Sequence, residues 1–287
     1  MRASVQAFLV VCAVAAPAMA RAEPPVWVVK SPTTTITIFG IIPNAPKDLA
    51  WKQPALDPAL AGAKELWFEA PLGLPDPLTA IRLLTTMNTQ GYLPNGETLS
   101  TRLSPEGRAR LARAATKYNI PMEKLDRMRP WRADVALALA RKDGSLKGGA
   151  VEGYAIDKAP RAARRGFDSL EDDLKLVVSC PEAEQVYNLE LALRRAEDPS
   201  DTRQYARAWA EGDLGFIARE RSEKLMQAAP QTYAKLRTGR HLRWAERIAA
   251  MAKGSKPVVA LVEVANMVGP ESLPAILRKK GLQVEGP

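Results

Sequence analysis

Two apolar runs at opposite ends of the chain restrict its fold more than any other feature. "TTITIF", Thr34–Phe39, and "VVALV", Val258–Val262, are rich in β-branched residues, and the second has no polar side chain. A strand apolar on both sides needs cover on both faces, so the two ends must meet in space within one covered sheet. "VWVVK", Val26–Lys30, and "ELWFEA", Glu65–Ala70, read as further strands, separated by Pro/Asn loops and a short helical segment, "PALDPALAGA". The connection through Ala55 to Gly62 is long enough for a crossover, so part of the sheet is expected to be parallel.

After Pro71 the texture becomes helical. "DPLTAIRLLTTM", "SPEGRARLARAATKY", "RPWRADVALALARKDG", "SLEDDLKLVVSC", "PEAEQVYNLELALRRAED" and "DTRQYARAWAEGD" place apolar residues at helical spacing. Ser104 before Pro105, and Ser169 ahead of Asp172, are expected N-caps. Strand texture returns in "KPVVALVEVANMVGP", followed by a helix, "ESLPAILRKKG", and a last strand, "LQVE". The expected fold is α/β: a mixed β-sheet formed by N- and C-terminal strands, with a large α-helical insert or cap. One domain over 23–287 is expected, strand-rich over 26–70 and 256–287 and helical over 75–253.

At the N-terminus, Arg2 precedes an apolar run from Ala3 to Ala16, and small residues follow at Ala18, Ala20 and Ala22. About 14 apolar residues fall short of the roughly 18 needed to span a bilayer, so residues 1–22 read as a signal peptide. The expectation is an exported protein, periplasmic or secreted after cleavage near Ala20 to Ala22. Cys12 lies inside the apolar core after Val11, which excludes a lipoprotein signal. Only Cys180 then remains, so no internal disulfide is expected.

The net charge of +9 is spread along the chain without a block of like charges. Such a balance suits anionic neighbours, envelope polymers or the surface of an anionic membrane, and no nucleic-acid partner is expected. There is no glycine-rich phosphate loop, Gly-x-Ser-x-Gly elbow or Cys-x-x-Cys pair. His241 is the one histidine in the chain, which excludes any site needing two imidazoles on one metal. Trp131, Trp209 and Trp244 sit at apolar helical positions and are expected in the core, and Cys180 is expected as a buried, inert thiol.

The C-terminal block "VVALVEVANMVGPESLPAILRKKGLQVEGP", with "PPVWVVK", "LSPE", "RPW", "RRGFDSLEDDL", "AWAEGDL" and "TYAKLRTGRHLRWAERI" in the same order, resembles the TraB/GumN family of exported proteins, relatives of the Tiki metalloproteases. The resemblance implies that two strand ends each carry Gly-x-x-His, and that these histidines, with a glutamate ending an early strand, hold a divalent metal for peptide hydrolysis. In this sequence Gly40 keeps the first glycine, but Pro43 stands at its histidine position. Glu263 replaces the second glycine, and Asn266 replaces the second histidine. Glu69 matches the family glutamate and Arg240 the family arginine, giving a candidate catalytic pair or a structural ion pair between helix and sheet.

Gly40, Pro43, Glu263 and Asn266 are therefore candidate binding residues rather than metal ligands. The expectation is a degenerate, metalloprotease-like scaffold without cofactor, a pseudoenzyme that binds a peptide, an envelope component or a protein partner in a cleft. An active hydrolase with a divalent cation held by Glu69, Glu263 and Asn266 is the alternative. An envelope assembly factor using the helical insert is a third. Glu263, the one charge in "VVALVEVANM", is placed by strand alternation on the face of Leu261 and Ala265. There it either shares a cleft with Glu69 or meets an arginine, and the arginine is expected because buried charges are normally paired. The row Arg237, Arg240, Arg243 and Arg247 either grips an anion or forms an ion-paired face, and the second is the expectation.

Overall fold

The computed structural model describes residues 23–52, 56–140 and 146–287. The signal-peptide reading over 1–22, the start of the crossover at Ala55 and the end of "RPWRADVALALARKDG" lie outside them. Eight strands are present: β1 Val26–Lys30, β2 Thr35–Ile41, β3 Asn44–Pro46, β4 Glu65–Phe68, β5 Leu146–Gly148, β6 Ala163–Gly166, β7 Val258–Glu263 and β8 Gln283–Glu285. Six form one mixed sheet in the order β6-β4-β7-β2-β1-β8.

The two apolar ends meet as expected. β7 lies between β2 and β4 and is parallel to both, with Gly40 opposite Val262 and Phe68 opposite Leu261. Central position and cover on both faces explain why every residue from Val258 to Val262 is buried. β1 turns back antiparallel on β2, and β8 closes the other edge against β1. The helix Arg240–Met251 packs Trp244, Ala245 and Ile248 into the sheet's core with Phe39, Leu66 and Leu261.

The reading of 75–253 as purely helical is corrected at two points. β6, "ARRG", extends the sheet beside β4, and β5 pairs with β3 in a small second sheet. β6 is an edge strand with mostly exposed side chains, so it carries no apolar alternation to announce itself. Elsewhere the helices stand where periodicity places them. Ser104 Oγ accepts from Gly107 N at 2.9 Å and Ser169 Oγ from Asp172 N at 3.1 Å, both as N-caps. A second apolar cluster, including Leu99, Leu111, Leu125 and Leu189, lies among the helices. Trp131, Trp209 and Trp244 are buried, as is Cys180, whose thiol pKa burial pushes up. Among the described residues no helix is long and apolar enough to cross a membrane.

Candidate functional site at the carboxyl ends of the parallel strands

β2, β4, β6 and β7 run in one direction, so their carboxyl ends converge on one edge of the sheet, where α/β folds collect ligand groups. Glu69 follows β4, Asp168 follows β6 by two residues, and Glu263 ends β7. The neighbouring exits are tied by backbone bonds, Phe167 N to Phe68 O at 2.8 Å and Asp168 N to Glu69 O at 2.9 Å.

Glu69 is held by β7 and the turn after it. Its Oε1 accepts from Glu263 N at 2.8 Å and from Asn266 Nδ2 at 2.6 Å. Burial pushes its carboxyl pKa up to about 7, aided by the Glu263 charge and opposed by the Arg240 and Arg237 guanidiniums and the Glu263 N–H. The chain leaves strand geometry at Val264–Asn266, a short 3₁₀ turn, so Ala265 does not continue Glu263's face as alternation predicted. That turn brings the Asn266 side chain back to Glu69.

Asn266 is 1 % exposed and forms a junction. Its Oδ1 accepts from Arg237 Nη1, while His241 Nε2 lies 3.0 Å from the same oxygen. His241 Nδ1 is 2.7 Å from the Glu271 carbonyl, which can only accept, so Nδ1 carries a proton. Burial pushes the imidazole down to about 4, against its two hydrogen bonds and with help from Arg237 and Arg240. At neutral pH Nε2 is then a lone pair facing Oδ1, a close contact without a proton between the two atoms.

Neither expected glutamate–arginine pairing forms. Arg240 reaches Asp168 at 3.3 Å and Asp173 at 2.6 Å, and influences Glu69 only through its charge. Asp168 has a buried side chain and also draws Arg243 to 3.4 Å, so two acids hold these cations away from Glu69. Of the row Arg237, Arg240, Arg243 and Arg247, Arg240 and Arg243 are ion-paired, Arg237 donates to an amide oxygen and Arg247 is exposed. Glu263 makes no ion pair among the described residues; its Oε1 accepts from the Tyr205 hydroxyl at 3.4 Å. The arrangement that forms is the one given second place, two carboxylates at one strand edge.

Gly40 serves packing. A Cβ there would stand 2.9 Å from the Trp27 ring and 3.3 Å from the Pro25 carbonyl, so glycine leaves room for the first strand to pair closely beside β2. The Gly40 carbonyl accepts from Trp209 Nε1 at 2.6 Å. Pro43 is exposed and borders a cavity of about 710 Å³ that also meets Tyr205, Arg221, Arg237 and Glu263. A second cavity of about 310 Å³ shares Arg237 and Glu263 with it and extends to Arg240. Each is within the size range of small-molecule pockets.

The sequence matches the model of the TraB/PrgY/gumN family over residues 25–286, nearly its full length. The chain belongs to the TraB/PrgY/gumN family. No curated protein and no solved structure matches it.

The metal site that the family resemblance implies does not fit the donors of this TraB/PrgY/gumN member. Pro43 has no donor atom, and Asn266 turns its oxygen to a guanidinium and its nitrogen to Glu69. A cation drawing on that oxygen would have to displace Arg237 and sit against its charge. Among the described residues no three His, Cys, Asp or Glu side chains are grouped to hold a metal ion.

Tyr205, Asp201 and Arg221, which line the cleft, were missed by the sequence reading. Glu69 and Asp168 carry a shared signal that could have found the second acid: each follows a phenylalanine, in "WFEA" and "GFDS". Nothing in the spacing of Asp201, Tyr205 and Arg221 marks them, because they meet only through the packing of separate helical segments.

Proposed function

We propose that this TraB/PrgY/gumN protein is an exported binding protein that holds a peptide or peptide-like envelope component in the cleft at the strand ends, without metal-dependent hydrolysis. The observation that carries this reading is the position of Asn266 between Arg237 and Glu69. The polar groups at the strand edge bond one another, and a guanidinium supplies the positive charge that a cation would bring. The cleft itself persists beside them, with Glu263, Tyr205 and Arg237 on its wall.

The test is elemental analysis of protein purified without chelators, with peptide binding and peptide cleavage measured on the same preparation, with and without added manganese, cobalt or calcium. The expected result is saturable peptide binding, no stoichiometric metal and no cleavage. Metal near one equivalent, with cleavage abolished by Glu69→Ala, would overturn the proposal in favour of a hydrolase.

A further inference from the structure

The larger cavity gathers arginines and acids on its wall, and one of the arginines is incompletely matched. Arg221 projects from Ala218–Glu223, a π-helical segment, and Arg237 from a second, Ala234–Gly239. Such segments interrupt the regular helix and are frequent where a fold aims side chains at a ligand. The Arg221 guanidinium lies over the Tyr205 ring at 4.3 Å, and its Nη2 donates to Asp201 Oδ2 at 2.9 Å. Arg195 Nε approaches the same oxygen at 3.1 Å. The Arg221 side chain is nine-tenths buried, yet its Nη1 has no hydrogen-bond partner.

Two guanidiniums thus converge on one carboxylate oxygen, and Arg221, a residue of the cavity wall, keeps one buried N–H group unmatched. A buried orphan donor on a charged group is costly, and a ligand oxygen would remove that cost. Of the other acids on the wall, Glu220 pairs with Lys224 and Asp198 accepts from Ser200 N at its helix start. Neither reaches Arg221. Tyr205, whose ring Arg221 overlies, donates its hydroxyl to Glu263, whose carboxylate is free of ion pairs among the described residues.

We infer that the cleft recognises its peptide by the C-terminal carboxylate, which pairs with Arg221 and Arg195 while the remainder of the chain runs toward Glu263. A singly charged carboxylate balances the two guanidiniums and Asp201, whereas a phosphate dianion would leave excess negative charge beside Asp201. This inference rests on the proposed binding function and specifies its ligand.

The experiment compares a library of free-acid tri- to pentapeptides with the same library as C-terminal amides, by calorimetry on the full mature protein, with inorganic phosphate as a third probe. The expected result is binding of free-acid members, at least about tenfold weaker binding of their amides, and a similar loss in Arg221→Gln, consistent with removal of one charge-assisted contact. If Arg221→Gln does not fold, Arg195→Gln is expected to weaken the free acids alone. Equal binding of acids and amides would overturn the carboxylate inference and leave the binding function standing. Phosphate binding without peptide binding would overturn both, as would binding of neither library. Amides that bind tenfold weaker, but with unchanged affinities in a folded Arg221 or Arg195 variant, would move the carboxylate elsewhere and overturn this assignment.

Discussion

Asn266 Nδ2 donates to Glu69 Oε1 at 2.6 Å and so joins the turn after β7 to the end of β4, in a family where the resemblance implies a histidine at that position. The amide suits this place because it offers a donor to the carboxylate and an acceptor to Arg237 at once. Asn266→Ala is therefore expected to remove one of the two donors to Glu69 Oε1 and the acceptor of Arg237 together, lowering stability by about 3 kcal/mol. Urea denaturation of the two proteins measures it; a loss under about 1 kcal/mol would mean that the junction is not a structural tie.

The same junction sets a pH dependence with two opposed parts. Glu69 rises from 4.5 to about 7 on folding, so between those values the native state holds a proton that the unfolded chain has lost, and stability falls as pH rises. His241 drops from 6.5 to about 4, so between those values the unfolded chain holds the extra proton, and stability rises with pH. Each amounts to about 3 kcal/mol. They offset one another between pH 4.5 and 6.5. Glu69→Gln keeps an oxygen for Glu263 N and Asn266 and removes the first part, so its stability should climb steadily from pH 4 to 6.5 and then level off. Denaturation midpoints across that range check this, and a Gln variant with the parent's flat profile would contradict it.

Gly40 and Trp209 predict a pair of effects on the β2 exit. Gly40→Ala would press a methyl group against the buried Trp27 ring, at a cost of about 1–3 kcal/mol, and Trp209→Phe would leave the Gly40 carbonyl without its 2.6 Å donor, at a similar cost. Because both act at one strand end, the double variant is expected to lose less than the sum of the two. Additive losses in chemical denaturation would show that the two contacts are independent.

The sheet was legible in the sequence because β1, β2, β4, β7 and β8 carry their own composition signals, and the apolar character of Val258–Val262 required neighbours on both sides. β6 was not legible, since an exposed edge strand such as Ala163–Gly166 holds its place by backbone pairing with β4 rather than by apolar side chains. At the site, the family resemblance pointed to Glu69, Glu263 and Asn266, and these do converge. Their partners were beyond reach of spacing. Arg240 turns to Asp168 and Asp173 because β6 brings the first of these acids beside β4, and Asn266 meets Arg237 through a π-helical segment that no hydrophobic period encodes.

The helix Pro77–Gln90 has no buried residue, and Leu78, Ile81 and Leu84 on it are each more than half exposed. Apolar character alone would place these side chains in a core, so substitution separates composition from burial. Leu78→Lys and Ile81→Lys are expected to change stability by no more than about 0.5 kcal/mol, as at ordinary surface positions. Leu111→Ala, in the helical core with no exposed surface, is expected to cost about 2–5 kcal/mol. Thermal and urea denaturation of the three variants decides the matter: a large loss for either lysine variant in the monomer would mean that this helix buries its apolar row against the rest of the chain.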